Sequence, residues 1–298
     1  MKNYIIRWAC MSVGIVGAAF LAACSDDAEL QYKDAKSTPM TFVVKHPSQT
    51  RATETDFEIG DRIGLYVANT EKPMELGGNL ANNDVLTYDG DKWTSLRPLY
   101  WDDGTFNVYA IYPRMDKITS LDSQPFSVAL DQNTPKTATS LGGYEASDLL
   151  FASQKSVTAS DSPVSLLFHH IMSKLRIRLI KGEDFEGELP TKAKVYIHST
   201  ITSATVDLRQ GIVTYNPRMA RQSIIAHQDD ETCYSAIVVP QNITTSMPFL
   251  EVEVNGVSYF YESRFNYKPG VENLVNLIIS KDPEQVKIEI GGEIKDWQ

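Results

Sequence analysis

After Thr38, nearly every apolar stretch of this chain repeats with a period of two. In Lys174-Leu175-Arg176-Ile177-Arg178-Leu179 the aliphatic residues face one way and the basic residues the other. Leu250, Val252 and Val254 alternate with Glu251 and Glu253, and Val286, Ile288 and Ile290 alternate with Lys287 and Glu289. Successive side chains of an extended strand point to opposite faces of a sheet, so each run reads as a half-buried strand. The same reasoning places strands at Thr41–Lys45, Arg62–Ala68, Thr105–Tyr112, Phe126–Leu130, Val164–His169, Lys194–His198, Val257–Tyr261 and Asn273–Ile279. Turn residues separate them: Asp89-Gly90-Asp91, Asp102-Asp103-Gly104, Asn255-Gly256 and Lys268-Pro269-Gly270. Asn255-Gly256, between two alternating runs, is the clearest hairpin. No long segment has a helical period. The expected fold is therefore all-β and built of sandwiches.

A chain of 298 residues divides naturally into two such units. Val164–Ile180 is one apolar block, too long for an ordinary strand. It reads as the last strand of one domain running into the first strand of the next, with the break at His170-Ile171-Met172-Ser173. The expected domains are an N-terminal β-sandwich over 39–172 and a C-terminal one over 173–298.

The first residues have a different character. Lys2 and Arg7 precede an uncharged run from Trp8 to Ala23, which is too short to span a bilayer comfortably. It ends in Leu21-Ala22-Ala23-Cys24, the pattern of a bacterial lipobox. Residues 1–23 are thus expected to be a signal peptide, cleaved between Ala23 and Cys24, with a lipid on Cys24 that holds the chain to the outer membrane. Residues 24–38 then form a polar tether, whose Asp26, Asp27 and Glu29 resemble a surface-export signal. Cys10 leaves with the signal peptide, so Cys233 is the only thiol left for the body of the chain. It lies in a strand-like run and is expected to be buried and inert.

The sequence holds little catalytic chemistry. It has no phosphate-binding loop, dinucleotide fingerprint, His-Glu-x-x-His or Gly-x-Ser-x-Gly. His46, His169, His170, His198 and His227 have no zinc spacing, and His169 and His170 belong on opposite faces of a strand. Asp89, Asp91, Asp102 and Asp103 fit turns better than a calcium loop. Tyr100, Trp101, Tyr109, Tyr112, Tyr259 and Tyr261 occupy strand positions suited to a core or an interface. The expectation is no enzyme, no metal and no cofactor. A net charge of −10 and a pI near 5.0 argue against a nucleic-acid partner.

Four stretches in order resemble the fimbrillin family, the subunits of type V fimbriae. They are Arg51-Ala52-Thr53 with Phe57-Glu58-Ile59-Gly60-Asp61-Arg62-Ile63-Gly64-Leu65-Tyr66, then Pro98-Leu99-Tyr100-Trp101 leading to Phe106–Pro113, then Asp148–Ala152 with Leu167-Phe168-His169-His170 and Ser173-Lys174-Leu175, and lastly Pro269-Gly270 before Asn276–Ile279 with the ending Ile294–Trp297. The resemblance implies two transthyretin-like, Greek-key β-sandwich domains in tandem. It also implies a lipoprotein precursor on the cell surface, cut by a trypsin-like protease between Arg51 and Ala52. The displaced strand would then be Thr41, Phe42, Val43 and Val44. A C-terminal strand of a neighbouring subunit would replace it, with Val286, Ile288, Ile290, Ile294 and Trp297 as the candidate donor residues within 286–298. The implied partners are other fimbrial subunits, and the implied role is a structural or adhesive one. The alternative is a surface glycan-binding lipoprotein of a nutrient-uptake system, which would be equally β-rich and anchored.

Overall fold

The computed structural model describes residues 38–47, 57–189, 191–254 and 256–281, together with the strands at 287–290 and 295–296. Their regular secondary structure is almost entirely β. One antiparallel sheet runs β4 (Trp93–Ser95), β3 (Ala81–Tyr88), β2 (Arg62–Asn69), β5 (Thr105–Tyr112), β7 (Leu150–Thr158) and β9 (His169–His170). A second runs β15 (His227–Gln228), β16 (Cys233–Val238), β10 (Ser173–Lys181), β19 (Val271–Ile279) and β20 (Lys287–Ile290), with β21 (Lys295–Asp296) also on β19. Three smaller sheets complete the fold. They are β14 (Gln222–Ile225), β11 (Lys194–Thr200), β17 (Gln241–Val254) and β18 (Val257–Tyr267); β13 (Ile212–Tyr215), β12 (Ser203–Asp207) and β6 (Gln124–Ser127); and the pair β1 (Phe42–Lys45) and β8 (Val164–Leu167). One short helix, α1 (Gly143–Ser147), precedes β7.

The alternation of the sequence becomes burial. Leu175, Ile177 and Leu179 of β10 are buried, while the Arg178 between them is exposed. The hairpin expected at Asn255-Gly256 joins β17 to β18, with Val254 opposite Val257 and Gly256 at φ +78. Only Gly adopts that backbone at no steric cost, which is why it stands there. Pro248 interrupts β17 at a bulge, beyond the last residue that β11 pairs, so its missing N–H costs no ladder bond there.

The first six-stranded sheet is buried on both faces. Ile63, Leu65, Val67, Val108, Ala110, Leu150 and Ala152 pack into a smaller core under β1 and β8. Tyr66, Ala68, Tyr109, Ile111 and Phe151 pack on the opposite side into a larger core that continues through β10, β11, β16, β17, β18 and β19. This explains why β2 reads as a nearly continuous apolar run. Ile171 and Met172, between β9 and β10, belong to the larger core as well.

The segment after β5 also ties into later strands. β6 pairs with β12, setting Phe126 opposite Ala204. The expected strand at Phe126–Leu130 therefore ends early, because its pairing changes partner. Val128 N–H donates to Thr202 O at 3.0 Å, and Leu130 O accepts from Ile225 N–H at 2.7 Å. Gln132 follows, fully buried. Its amide works like a strand residue: Nε2 donates to Ile237 O at 2.7 Å, and Oε1 accepts from Ile237 N–H at 2.8 Å. Buried backbone groups need partners, and here a side chain supplies both.

Candidate functional site

Of the residues singled out in the sequence, Thr41–Val44 sit where two features meet: a thinly held strand and a deep apolar floor. β1 pairs in parallel with β8, Phe42 opposite Val164 through Lys45 opposite Leu167. Val164 N–H donates to Thr41 O at 2.9 Å and Phe168 N–H to Lys45 O at 3.0 Å. The segment before β1 is tied to the stretch before β5: Met40 N–H donates to Leu99 O, and Trp101 N–H to Thr38 O, both at 2.9 Å. β1 has no second ladder among the described residues.

Side chains follow the same period. Phe42 and Val44 are half-buried over the smaller core, and Val43 and Lys45 point outward, Val43 with 42% of its surface exposed. Met40 is buried. Beside them on β8, Val164 and Leu166 are buried in the same core, and beneath both strands lie Ile63, Leu65, Val108 and Ala110 of the first six-stranded sheet. Complete burial of one such side chain is worth ~1.5–3 kcal/mol, and Phe42 and Val44 realise only part of that. β1 is thus a thinly held strand with modest apolar cover of its own, lying on a floor that needs cover.

Both ends of the segment that carries Arg51 meet at one aromatic cluster. The His46 and Phe57 rings lie 5.0 Å apart, edge to face. Phe57 also touches Trp93 at 5.0 Å, Tyr112 at 5.3 Å and Phe168 at 5.7 Å, and His46 is 5.9 Å from His170. Edge-to-face pairs of this kind add ~0.5–1.5 kcal/mol beyond burial. The cluster draws on members from separate elements, so no local pattern announces it. Its one visible signal was Phe57, at the head of the first family-like stretch. Ala23, Cys24, Arg51, Ala52, Val286, Ile294 and Trp297 lie outside the described residues.

At the other end of the chain, β20 closes the second sheet on β19. Ile288 stands opposite Leu277 and Ile290 opposite Val275 in antiparallel register. β21 pairs further back on the same strand, Lys295 opposite Glu272. In the single chain, the backbone of Ile288 and Ile290 is engaged with its own sheet.

The remaining candidates have structural surroundings. His169 is exposed, whereas His170 is buried with Nδ1 at 2.9 Å from Asp148 Oδ1. Cys233 is buried and free, and burial pushes its thiol pKa up, away from a reactive thiolate. Trp101, Tyr109, Tyr259 and Tyr261 are buried, Tyr112 is half-buried and Tyr100 is exposed. Among the described residues no cluster of His, Cys, Asp and Glu is arranged to hold a metal. No helix among them is long and apolar enough to cross a membrane.

Comparison with known proteins fits this arrangement. A fimbrillin-like family model matches residues 50–297. The chain therefore belongs to the fimbrillin-like family. Two similar solved structures are candidate cell adhesion proteins of Bacteroides. The one from Bacteroides ovatus is 20% identical, covers 88% of this chain and 98% of its own, and superposes with a TM-score of 0.70. The one from Bacteroides uniformis is 21% identical, covers 81% of this chain and 93% of its own, with a TM-score of 0.64. At that identity the likeness establishes a shared fold. No curated protein matches the chain significantly.

Proposed function

We propose that this chain is an adhesive subunit of a type V fimbria, built for polymerisation by strand exchange. It is exported as a lipoprotein on Cys24 and cut by a trypsin-like protease between Arg51 and Ala52. β1 then leaves with the N-terminal fragment. The uncovered floor of Ile63, Leu65, Val108 and Ala110, with the unpaired edge of β8, is costly in water until another strand fills it. The C-terminal strand of a neighbouring subunit, from Val286 through Ile290 toward Trp297, fills it by β-augmentation. Head-to-tail exchange of this kind does not close on itself, so it produces a filament at the cell surface.

The observation that carries this reading is the asymmetry at β1. Among the described residues, the strand just before Arg51 has one ladder and half-buried side chains, over an apolar floor that includes Ile63, Leu65, Val108 and Ala110. Membership of the fimbrillin-like family supports it too. The test is the N-terminus of this protein in filaments sheared from cells. A start at Ala52, together with loss of SDS-resistant ladders in Arg51→Ala, is the expected outcome. Full-length lipidated monomer in the sheared fraction, or unchanged ladders in Arg51→Ala, refutes it.

A further inference from the structure

A second concave site lies away from β1, where the start of β2 and the end of β5 meet the loop before α1. It is an open pocket of about 710 Å³. Its apolar walls include Met115, Phe126 and Leu141, and its lining includes Thr137, Thr139 and Ser140, of which Thr137 and Ser140 bond each other through their hydroxyls at 2.7 Å. Three cations line it: Arg62, Arg114 and Lys136.

The charges in this pocket are unequally satisfied. Lys136 Nζ lies 2.6 Å from Glu58 Oε2 and 3.8 Å from the buried Asp61 carboxylate, so its charge is answered within the protein. Asp61 is further held by Glu58 N–H at 2.8 Å and by the Tyr112 hydroxyl. The two arginines differ. Arg62 is exposed and forms no ion pair with another described residue. Arg114 pairs through Nη1 with Asp116, which is 77% exposed. Its Nε is buried and has no hydrogen-bond partner among the described residues. The two residues are joined through the backbone, Arg114 N–H donating to Arg62 O at 2.9 Å. That Nε is sealed from solvent, so a carboxylate entering the pocket is met by the exposed guanidinium of Arg62, which forms charge-assisted bonds with such a group.

We infer that this pocket binds a saccharide carrying a carboxylate, with Arg62 receiving the acid group and Arg114 beside it adding positive charge. A sugar ring offers an apolar C–H face and a rim of hydroxyls. Those match Met115, Phe126 and Leu141 on one side and the hydroxyl-bearing 137–140 loop on the other. An acidic peptide fits less well. β2 lies between β3 and β5, and β5 between β2 and β7, so neither strand has a free edge for an extended backbone to pair with. The inference rests on the adhesive reading above and names its ligand class.

The test is an array of oligosaccharides bearing uronic or sialic acids beside their neutral counterparts, probed with the full chain, followed by calorimetry on the strongest binder. Binding of the acidic glycans is expected, with neutral counterparts weaker by about tenfold or more and affinity falling as salt rises. Arg62→Gln and Arg114→Gln should each weaken binding about tenfold. Thr139→Trp, on an exposed loop, should fill the mouth and abolish binding while leaving the melting temperature unchanged. No binding on the array, equal binding of neutral glycans, an unaffected Thr139→Trp variant, or tighter binding of an acidic peptide overturns the proposal. Ladder formation separates the two readings. Lost glycan binding with intact ladders leaves polymerisation standing, and lost ladders with intact glycan binding removes polymerisation alone.

Discussion

β1 and β10 are both strands, but they are held in opposite ways. β10 is nine residues long and pairs along its whole length with β19 and over six residues with β16. Its inward side chains lie in the larger core. β1 is four residues long and has one ladder among the described residues. The lesson is that one chain carries a permanent frame and an element fastened lightly to it. Few shared contacts are what permit local opening without global unfolding.

Four perturbations would break or sharpen that contrast. The largest effect is expected in the frame: Ile177→Ala, at a fully buried position of β10, should cost about 3 kcal/mol in denaturant unfolding. A loss below about 1 kcal/mol would mean that β10 is no more essential than an edge strand. Gln132→Leu should cost about 2 kcal/mol, because Ile237 N–H and O then lose their partner inside the core.

The third perturbation is pH. Burial pushes the Tyr66 phenol up to about 12, with Arg114 opposing weakly. An unfolded tyrosine titrates near 10. Between those values the unfolded chain gives up a proton that the folded chain retains, so raising pH destabilises the fold. The stability that Tyr66 contributes is complete below pH 10 and declines by about 1.4 kcal/mol per pH unit until about 12. Tyr112, Tyr144, Tyr261 and Tyr267 are raised by burial too, so Tyr66→Phe should reduce the alkaline decline without abolishing it, measured by denaturant melts from pH 9 to 11.5; an unchanged slope would show that Tyr66 titrates normally. The smallest effect belongs to β1. Val44→Ala should cost about 1 kcal/mol locally, seen as faster amide exchange over 42–45 with little change in the global midpoint. A matching drop in the global midpoint would tie β1 to the frame.

Much of this contrast was legible in the chain, and the exceptions have physical causes. The period of two located β2, β5, β10, β11, β19 and the β17–β18 hairpin because one face of each is apolar, or both. β3 gave no such signal: Asn82, Asn83 and Asp84 are poor strand formers, and the strand is held by pairing to β2 across a bulge. Gln132 could not be foreseen, since a lone glutamine in a polar loop acquires meaning only when Ile237 arrives from 105 residues away. The aromatic cluster at Phe57 and the arginine pair of the pocket are likewise made by tertiary proximity. The strand at 42–45 was visible as an alternating run, but its pairing with β8 was not, because pairing order is not written in local pattern.

The most direct test of a separable β1 is native-state hydrogen exchange on the full chain, comparing peptides spanning 38–46 and 173–181 as denaturant rises. A separable strand predicts that 38–46 exchanges through a local opening whose free energy is nearly independent of denaturant, while 173–181 exchanges only with global unfolding. If both peptides open with the same free energy and the same denaturant dependence, β1 is part of the frame and the central claim fails.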